Sequence, residues 1–120
     1  MRIKKIQNKN TFRFFNYKWK KVPNWSKKTE KKYIQWYLDR YRYKNKKNFK
    51  KFLKNKKNIL EAGCGLARDS RLFAKLNSKA NIYACDQSKI AIKFAKKDNV
   101  DLDNIYYFVQ DITKKFKINF

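Results

Sequence analysis

From residue 58 onward, apolar positions switch between two periods. The run Asn58-Ile59-Leu60-Glu61-Ala62 predicts a short strand over 58–62 that opens into Gly63-Cys64-Gly65. Leu72, Phe73 and Leu76 then recur at helical spacing and predict a buried helix face over 67–77. A second strand is predicted over 81–86. A helix follows over 88–97, with Ile90, Ala91, Phe94 and Ala95 turned inward. A third strand, 105–109, ends at Gln110-Asp111. This β-α-β-α-β alternation calls for an α/β fold in which parallel strands are joined by right-handed crossovers.

The first half of the chain reads differently. Tyr33, Ile34, Tyr37, Leu38 and Tyr41 form one apolar stripe, predicting a helix over 28–44 that Ser26 or Thr29 could cap. A second short helix over 46–55 is expected to bury Phe49, Phe52 and Leu53. Residues 1–27 are basic and aromatic, with Phe12, Phe14, Phe15, Tyr17, Trp19 and Trp25 among lysines, and the short alternation at Phe12, Phe14 and Tyr17 predicts an extended piece. Two regions result: a basic, aromatic-rich, helical extension over 1–57 and an α/β unit over 58–120.

Charge sharpens this division. Residues 1–57 hold 22 Lys or Arg against Glu30 and Asp39, a net +20, whereas residues 58–120 hold 11 against 7, a net +4. An excess of this kind admits a nucleic-acid or acidic-membrane partner. Lys outnumbers Arg 27 to 6, however, and Asn, Ile, Phe and Tyr are also abundant, so AT-rich coding accounts for much of the lysine. Bidentate phosphate or base recognition favours Arg, which is scarce. A solvated lysine surface is therefore preferred to an RNA-binding arm, and packing or a lid over the site is preferred to base stacking for the aromatic cluster. No apolar run approaches the ~20 residues of a membrane span. With two cysteines, no C-x-x-C pair and no histidine, no metal site is expected. The setting is read as reducing and cytoplasmic.

Glycine carries the most information. Average usage near 7% predicts about eight in this length. The chain has two, Gly63 and Gly65, both at the end of the first predicted strand. A β-to-α turn there lets backbone approach a ligand closely. Asp86 ends the second strand 21 residues after Gly65, where an acid can accept hydrogen bonds from ribose hydroxyls. Asp111 follows the third strand. Glu61, Asp86 and Asp111 would thus converge beyond the carboxyl ends of the strands, where open α/β sheets bind ligands. Cys64 and Cys85 lie beside these groups and are read as small buried residues rather than reactive thiols.

These segments resemble the first three motifs of class I S-adenosylmethionine-dependent methyltransferases. Ile59-Leu60-Glu61-Ala62-Gly63-Cys64-Gly65 is similar to the first, Tyr83-Ala84-Cys85-Asp86-Gln87-Ser88 to the second, and Phe108-Val109-Gln110-Asp111-Ile112 to the third. The match spans roughly 58–112, with Ala67 where many members carry a third glycine. The resemblance implies a Rossmann-like sheet, here a partial one with strands ordered 3-2-1, and S-adenosyl-L-methionine as cofactor. It implies that Glu61 holds the methionyl ammonium, and that Gly63, Cys64 and Gly65 pass close to the amino-acid portion. Asp86 would grip the ribose and Gln87 would flank the adenine. Asp111 would accept from the adenine amino group, and the Ile112 amide would reach a ring nitrogen.

The family's sheet runs 3-2-1-4-5-7-6, and the later strands usually supply acceptor contacts and any catalytic base. The chain is accordingly expected to hold the cofactor half of a methyltransferase and to be inactive alone, with acceptor and catalytic residues unassigned. Whether it is a truncated reading frame or a natural short protein is left open, as is its oligomeric state. One alternative is an RNA-binding or RNA-methylating module built on the basic arm. A dinucleotide-binding Rossmann protein is the weaker one, because Arg68 occupies the third glycine position and Glu61 and Asp69 would face the phosphates.

Overall fold

A computed structural model of the protein describes residues 27–118. The aromatic cluster at 12–25 and the candidate cap Ser26 lie outside these residues. The elements in chain order are helix α1, Lys27–Arg40; helix α2, Lys46–Leu53; strand β1, Asn58–Ala62; helix α3, Arg68–Leu76; strand β2, Asn81–Asp86; helix α4, Lys89–Asp98; and strand β3, Ile105–Val109.

The three strands form a parallel sheet in the order β1-β2-β3. The register sets Ile59 beside Ile82 and Ile82 beside Ile105, so the three isoleucines form one row on one face. Helices α3 and α4 both cover that face, where Ala74, Ile92 and Ala95 join Ile82, Ala84 and Ile105 in one buried cluster. Two right-handed crossovers stepping in the same direction place both helices on the same side. On the opposite face Leu60 and Tyr106 are exposed, and the Tyr83 and Tyr106 rings stack with centroids 5.4 Å apart.

Helices α1 and α2 use their apolar stripes against α3. Ile34, Tyr37, Leu38, Phe49 and Leu53 pack around Leu72, with Ile59 and Phe73 at the boundary with the sheet cluster. The Asn45 side chain caps α2 by accepting from the Asn48 amide. Helix α1 ends in a Schellman pattern: Tyr43 N–H donates to Leu38 O, Arg42 N–H donates to Asp39 O, and Arg42 takes φ 60°.

Several expectations from the pattern are corrected in detail. Tyr41 and Phe52 are half exposed rather than buried; the first helix ends at Arg40 rather than 44, so Tyr41 lies past its last turn. In α4, Ile92 is buried along with Ala91 and Ala95, while Ile90 and Phe94 are only partly covered. Thr29 lies inside α1 and so does not precede it as a cap.

Asparagine and glutamine side chains brace the loops. The Asn104 Nδ2 group donates to the carbonyls of Asn77 and Ala80. Asn99 Nδ2 donates to Ala95 O and Leu66 O, holding the glycine turn to the end of α4. Arg71 forks onto both Asp101 oxygens at 2.7 and 2.8 Å and also reaches Glu30 on α1 at 3.1 Å.

Candidate functional site

All three strands end at the same edge of the sheet, and the loops that follow them carry the polar groups. The ladder continues past the strands: Cys64 N–H donates to Cys85 O, and Gln110 N–H donates to Asp86 O, each near 2.9 Å or shorter. The β1–α3 turn, the end of β2 and the loop after β3 are therefore fixed to one another.

The turn depends on backbone that side chains resist. Gly63 takes φ +73° and Gly65 φ +54°. A Cβ on Gly63 would meet nothing within 4 Å, so the space before it is open, and its positive φ still disfavours any side chain. Ala67, at the position of the third glycine in the motif, also adopts the left-handed conformation, φ 58° and ψ 41°, and is completely buried. Ala67 thus takes the conformation a glycine would, with its methyl group in the core cluster.

Asp86 joins the turns. Its Oδ2 accepts from Gly65 N–H at 2.9 Å and its Oδ1 accepts from Ser88 N–H at 2.8 Å. Each carboxylate oxygen has a second lone pair, so this fixed group can still accept two further hydrogen bonds. Ser88 caps α4 through Ala91 N–H and is itself buried.

Glu61 sits beneath the turn. Its Oε1 accepts from the Ser70 amide at 3.1 Å and the Ser70 hydroxyl at 2.7 Å. Burial, together with the negative charges of Asp69 and Asp86, pushes its carboxyl up to about 7 against the opposing pull of the Ser70 hydrogen bonds. Tyr33 of α1 donates to Asp69 Oδ1, so the amino-terminal helix closes one side of this acidic group. Tyr33 and Ser70 were not visible as site residues in the sequence: the first lay within a packing stripe, and a lone serine in a helix carries no signal.

Both cysteines are free and buried. Burial raises the Cys64 thiol well above its ordinary range, with Glu61 and Asp86 adding to the effect, and burial likewise raises Cys85. Neither has the thiolate character of a nucleophile. Among the described residues, no three His, Cys, Asp or Glu side chains converge as metal ligands.

The remaining candidates lie at the same edge without direct bonds to Asp86. Gln87 is exposed in the turn between β2 and α4. Asp111 bonds within its own turn, its Oδ1 accepting from Thr113 N–H at 2.9 Å and Thr113 Oγ1 at 2.6 Å, which holds its carboxyl below the usual range. The Ile112 side chain is exposed. Buried Gln110 organises this loop: its Nε2 donates to the carbonyls of Asp111 and Lys115, and its Oε1 accepts from Lys117 N–H.

Comparison with known proteins places this edge in context. A family model described as a methyltransferase domain matches residues 53–119. No curated protein matches the chain. Among solved structures, the plantazolicin methyltransferase BpumL in complex with SAH is 21% identical, with a TM-score of 0.51 over 95% of this chain and 45% of that one. A SAM-dependent methyltransferase from Aquifex aeolicus is 20% identical, with a TM-score of 0.47 over 59% of this chain and 40% of that one. Phosphoethanolamine N-methyltransferase 1 of Haemonchus contortus, in complex with phosphoethanolamine and S-adenosylhomocysteine, is 16% identical, with a TM-score of 0.43 over 72% of this chain and 22% of that one. The chain spans less than half the length of each of these three proteins. The likeness to BpumL is one of fold.

Proposed function

Because the chain belongs to the methyltransferase-domain family, we propose that the carboxyl edge of its sheet binds S-adenosylmethionine and forms the cofactor half of an enzyme that methylates an acceptor. The residues present suit that molecule. It carries a sulfonium and an ammonium and no phosphate, and the turn is surrounded by Glu61, Asp69 and Asp86. A pyrophosphate in the same place would face three carboxylates, and Arg68 would crowd the helix against the strand.

When bound, the cofactor supplies a methyl group made electrophilic by the positive sulfur. The chain's own part is to hold and orient it. Glu61 would take the ammonium, a partner that compensates a buried carboxylate. The open backbone at Gly63, with Cys64 and Gly65, would line the amino-acid portion. Asp86 would accept from both ribose hydroxyls with its remaining lone pairs. Gln87 would flank the adenine, Asp111 would accept from its amino group, and the Ile112 amide would donate to a ring nitrogen. Positioning of this kind supplies rate by fixing the reacting atoms in line. A cytoplasmic setting completes the reading, in keeping with two cysteines that form no C-x-x-C pair.

The observation that carries this proposal is the Asp86 carboxylate, held by amides from both flanking turns at the strand edge. Calorimetric titration of the chain with S-adenosylhomocysteine tests it. Saturable one-to-one binding is expected, and no binding with the helices and sheet intact would refute it.

A further inference from the structure

From the described surface we infer that the outer faces of α1 and α2 form a binding surface for single-stranded nucleic acid, independent of the cofactor site. Over residues 27–57 there are 14 Lys or Arg against two acids, and all 14 are exposed. One of the two acids, Glu30, is already occupied, accepting from Arg71 at 3.1 Å and Lys75 at 2.7 Å. Coding bias alone does not account for this. The same bias acts on residues 58–120, where 11 cations meet 7 acids.

The cations are arranged in rows. Residues four apart on a helix are surface neighbours. Lys28, Lys32, Trp36 and Arg40 thus form one stripe along α1, and Lys46, Lys50 and Lys54 form a second along and just beyond α2. Trp36 is 50% exposed and carries the Arg40 guanidinium 5.4 Å from its ring centre. Phe52 is 51% exposed, with the Lys56 ammonium at 5.0 Å. A row of cations interrupted by an exposed ring at Trp36, with a second cation-covered ring at Phe52 on another side of α2, suits a flexible polyanion whose bases can stack, and makes no demand on sequence.

A lipid surface fits less well. An interfacial helix inserts a continuous apolar face. The apolar faces of α1 and α2 are already spent on α3, through Ile34, Tyr37, Leu38, Phe49 and Leu53. What remains outward is the cationic faces with single exposed rings, Trp36, Tyr41 and Phe52, rather than a continuous apolar stripe.

The test is fluorescence anisotropy of a labelled oligouridylate of about 20 nucleotides, titrated with the full chain between ~50 and ~200 mM salt. Binding should be micromolar or weaker at physiological salt and should weaken steeply as salt rises. Reversing four charges on α2 (K46E, K47E, K50E and K51E together) should reduce the log–log salt slope by about 3, at roughly 0.7 per lost phosphate contact. Trp36→Ala should weaken binding at least about fivefold while leaving most of the slope. The control reverses four exposed lysines on α4 (K89E, K93E, K96E and K97E), an equal change in net charge on another face, and should keep most of the affinity. Equal losses from the two sets would show only a net-charge effect and overturn the inference. So would absence of RNA binding, or binding to phosphatidylserine vesicles without RNA binding. Since no cofactor is present in the assay, its outcome stands apart from the methyltransferase reading.

Discussion

Tyr33 on α1 donates a hydrogen bond to Asp69 in the first turn of α3, across 36 positions of sequence. Asp69 adjoins Ser70, which holds Glu61 through its amide and hydroxyl. The amino-terminal helix is thereby tied to the acidic base of the glycine turn. Burial, and then Asp69, raise the Tyr33 hydroxyl above its ordinary range, so it remains a donor. A hydrogen bond to a charged group contributes about 1.5–3 kcal/mol, less where solvent reaches it. Tyr33→Phe should lower stability by about 1–2 kcal/mol in urea unfolding, with little change in far-ultraviolet dichroism. An unchanged midpoint would show that the contact does not hold α1 in place.

A second prediction concerns backbone strain. Arg42 and Ala67 are the two non-glycine residues with positive φ among those described. A left-handed residue with a Cβ costs about 1–2 kcal/mol, offset in part by the extra unfolded-state freedom that glycine brings. Arg42 is exposed, so Arg42→Gly should stabilise by about 0.5–1 kcal/mol. Ala67 is fully buried, and losing its methyl costs about 0.8 kcal/mol, so Ala67→Gly should change stability little. Thermal unfolding of the two variants checks the contrast, and a destabilised Arg42→Gly would contradict it.

The architecture was legible where one signal dominated. Strands at 58–62, 81–86 and 105–109 are apolar runs bounded by turn residues, and the structure has them with the same bounds. Helix faces were harder to read. Periodicity gave the stripes but not their edges, so Tyr41 and Phe52 were placed inside and Ile92 was missed. The side chains that brace the site were harder still. Asn99, Asn104 and Gln110 clamp loop carbonyls, and a buried amide leaves no periodic trace in a chain rich in asparagine. Glu61 and Asp86 stood out in the sequence as candidates because motif spacing marks them. The hydrogen bonds that orient them, from Ser70, Gly65 and Ser88, depend on backbone turns that only the fold reveals.

A third prediction follows from Glu61. Its carboxyl is raised from 4.5 to about 7 in the folded chain, with burial the largest cause. The folded state therefore holds a proton that the unfolded chain releases between these values. Stability is greatest below the unfolded value and falls as pH rises through about 7, by at most about 1.4 kcal/mol per pH unit. A bound ammonium favours the carboxylate, so S-adenosylhomocysteine affinity should rise across the same window and level off above it. Glu61→Gln should flatten both profiles and weaken binding. Calorimetry at several pH values decides, and a pH-independent wild-type affinity would remove Glu61 from the ammonium contact.

The central claim rests on Asp86. On the proposed binding, replacing it with Ala would remove the acceptor for two ribose hydroxyls, charge-assisted bonds that contribute about 1.5–3 kcal/mol each without strict additivity. It also frees the Gly65 and Ser88 amides, so a stability measurement must accompany the binding one. Asp103 precedes β3 at the opposite edge of the sheet and is the matched control. In side-by-side titrations with S-adenosylhomocysteine, Asp86→Ala should lose at least roughly tenfold in affinity while Asp103→Ala stays near wild type. Asp86→Asn, which keeps an acceptor oxygen and the shape, should fall between them. Equal affinity of folded Asp86→Ala and Asp103→Ala would contradict the assignment of the sheet edge as a cofactor site.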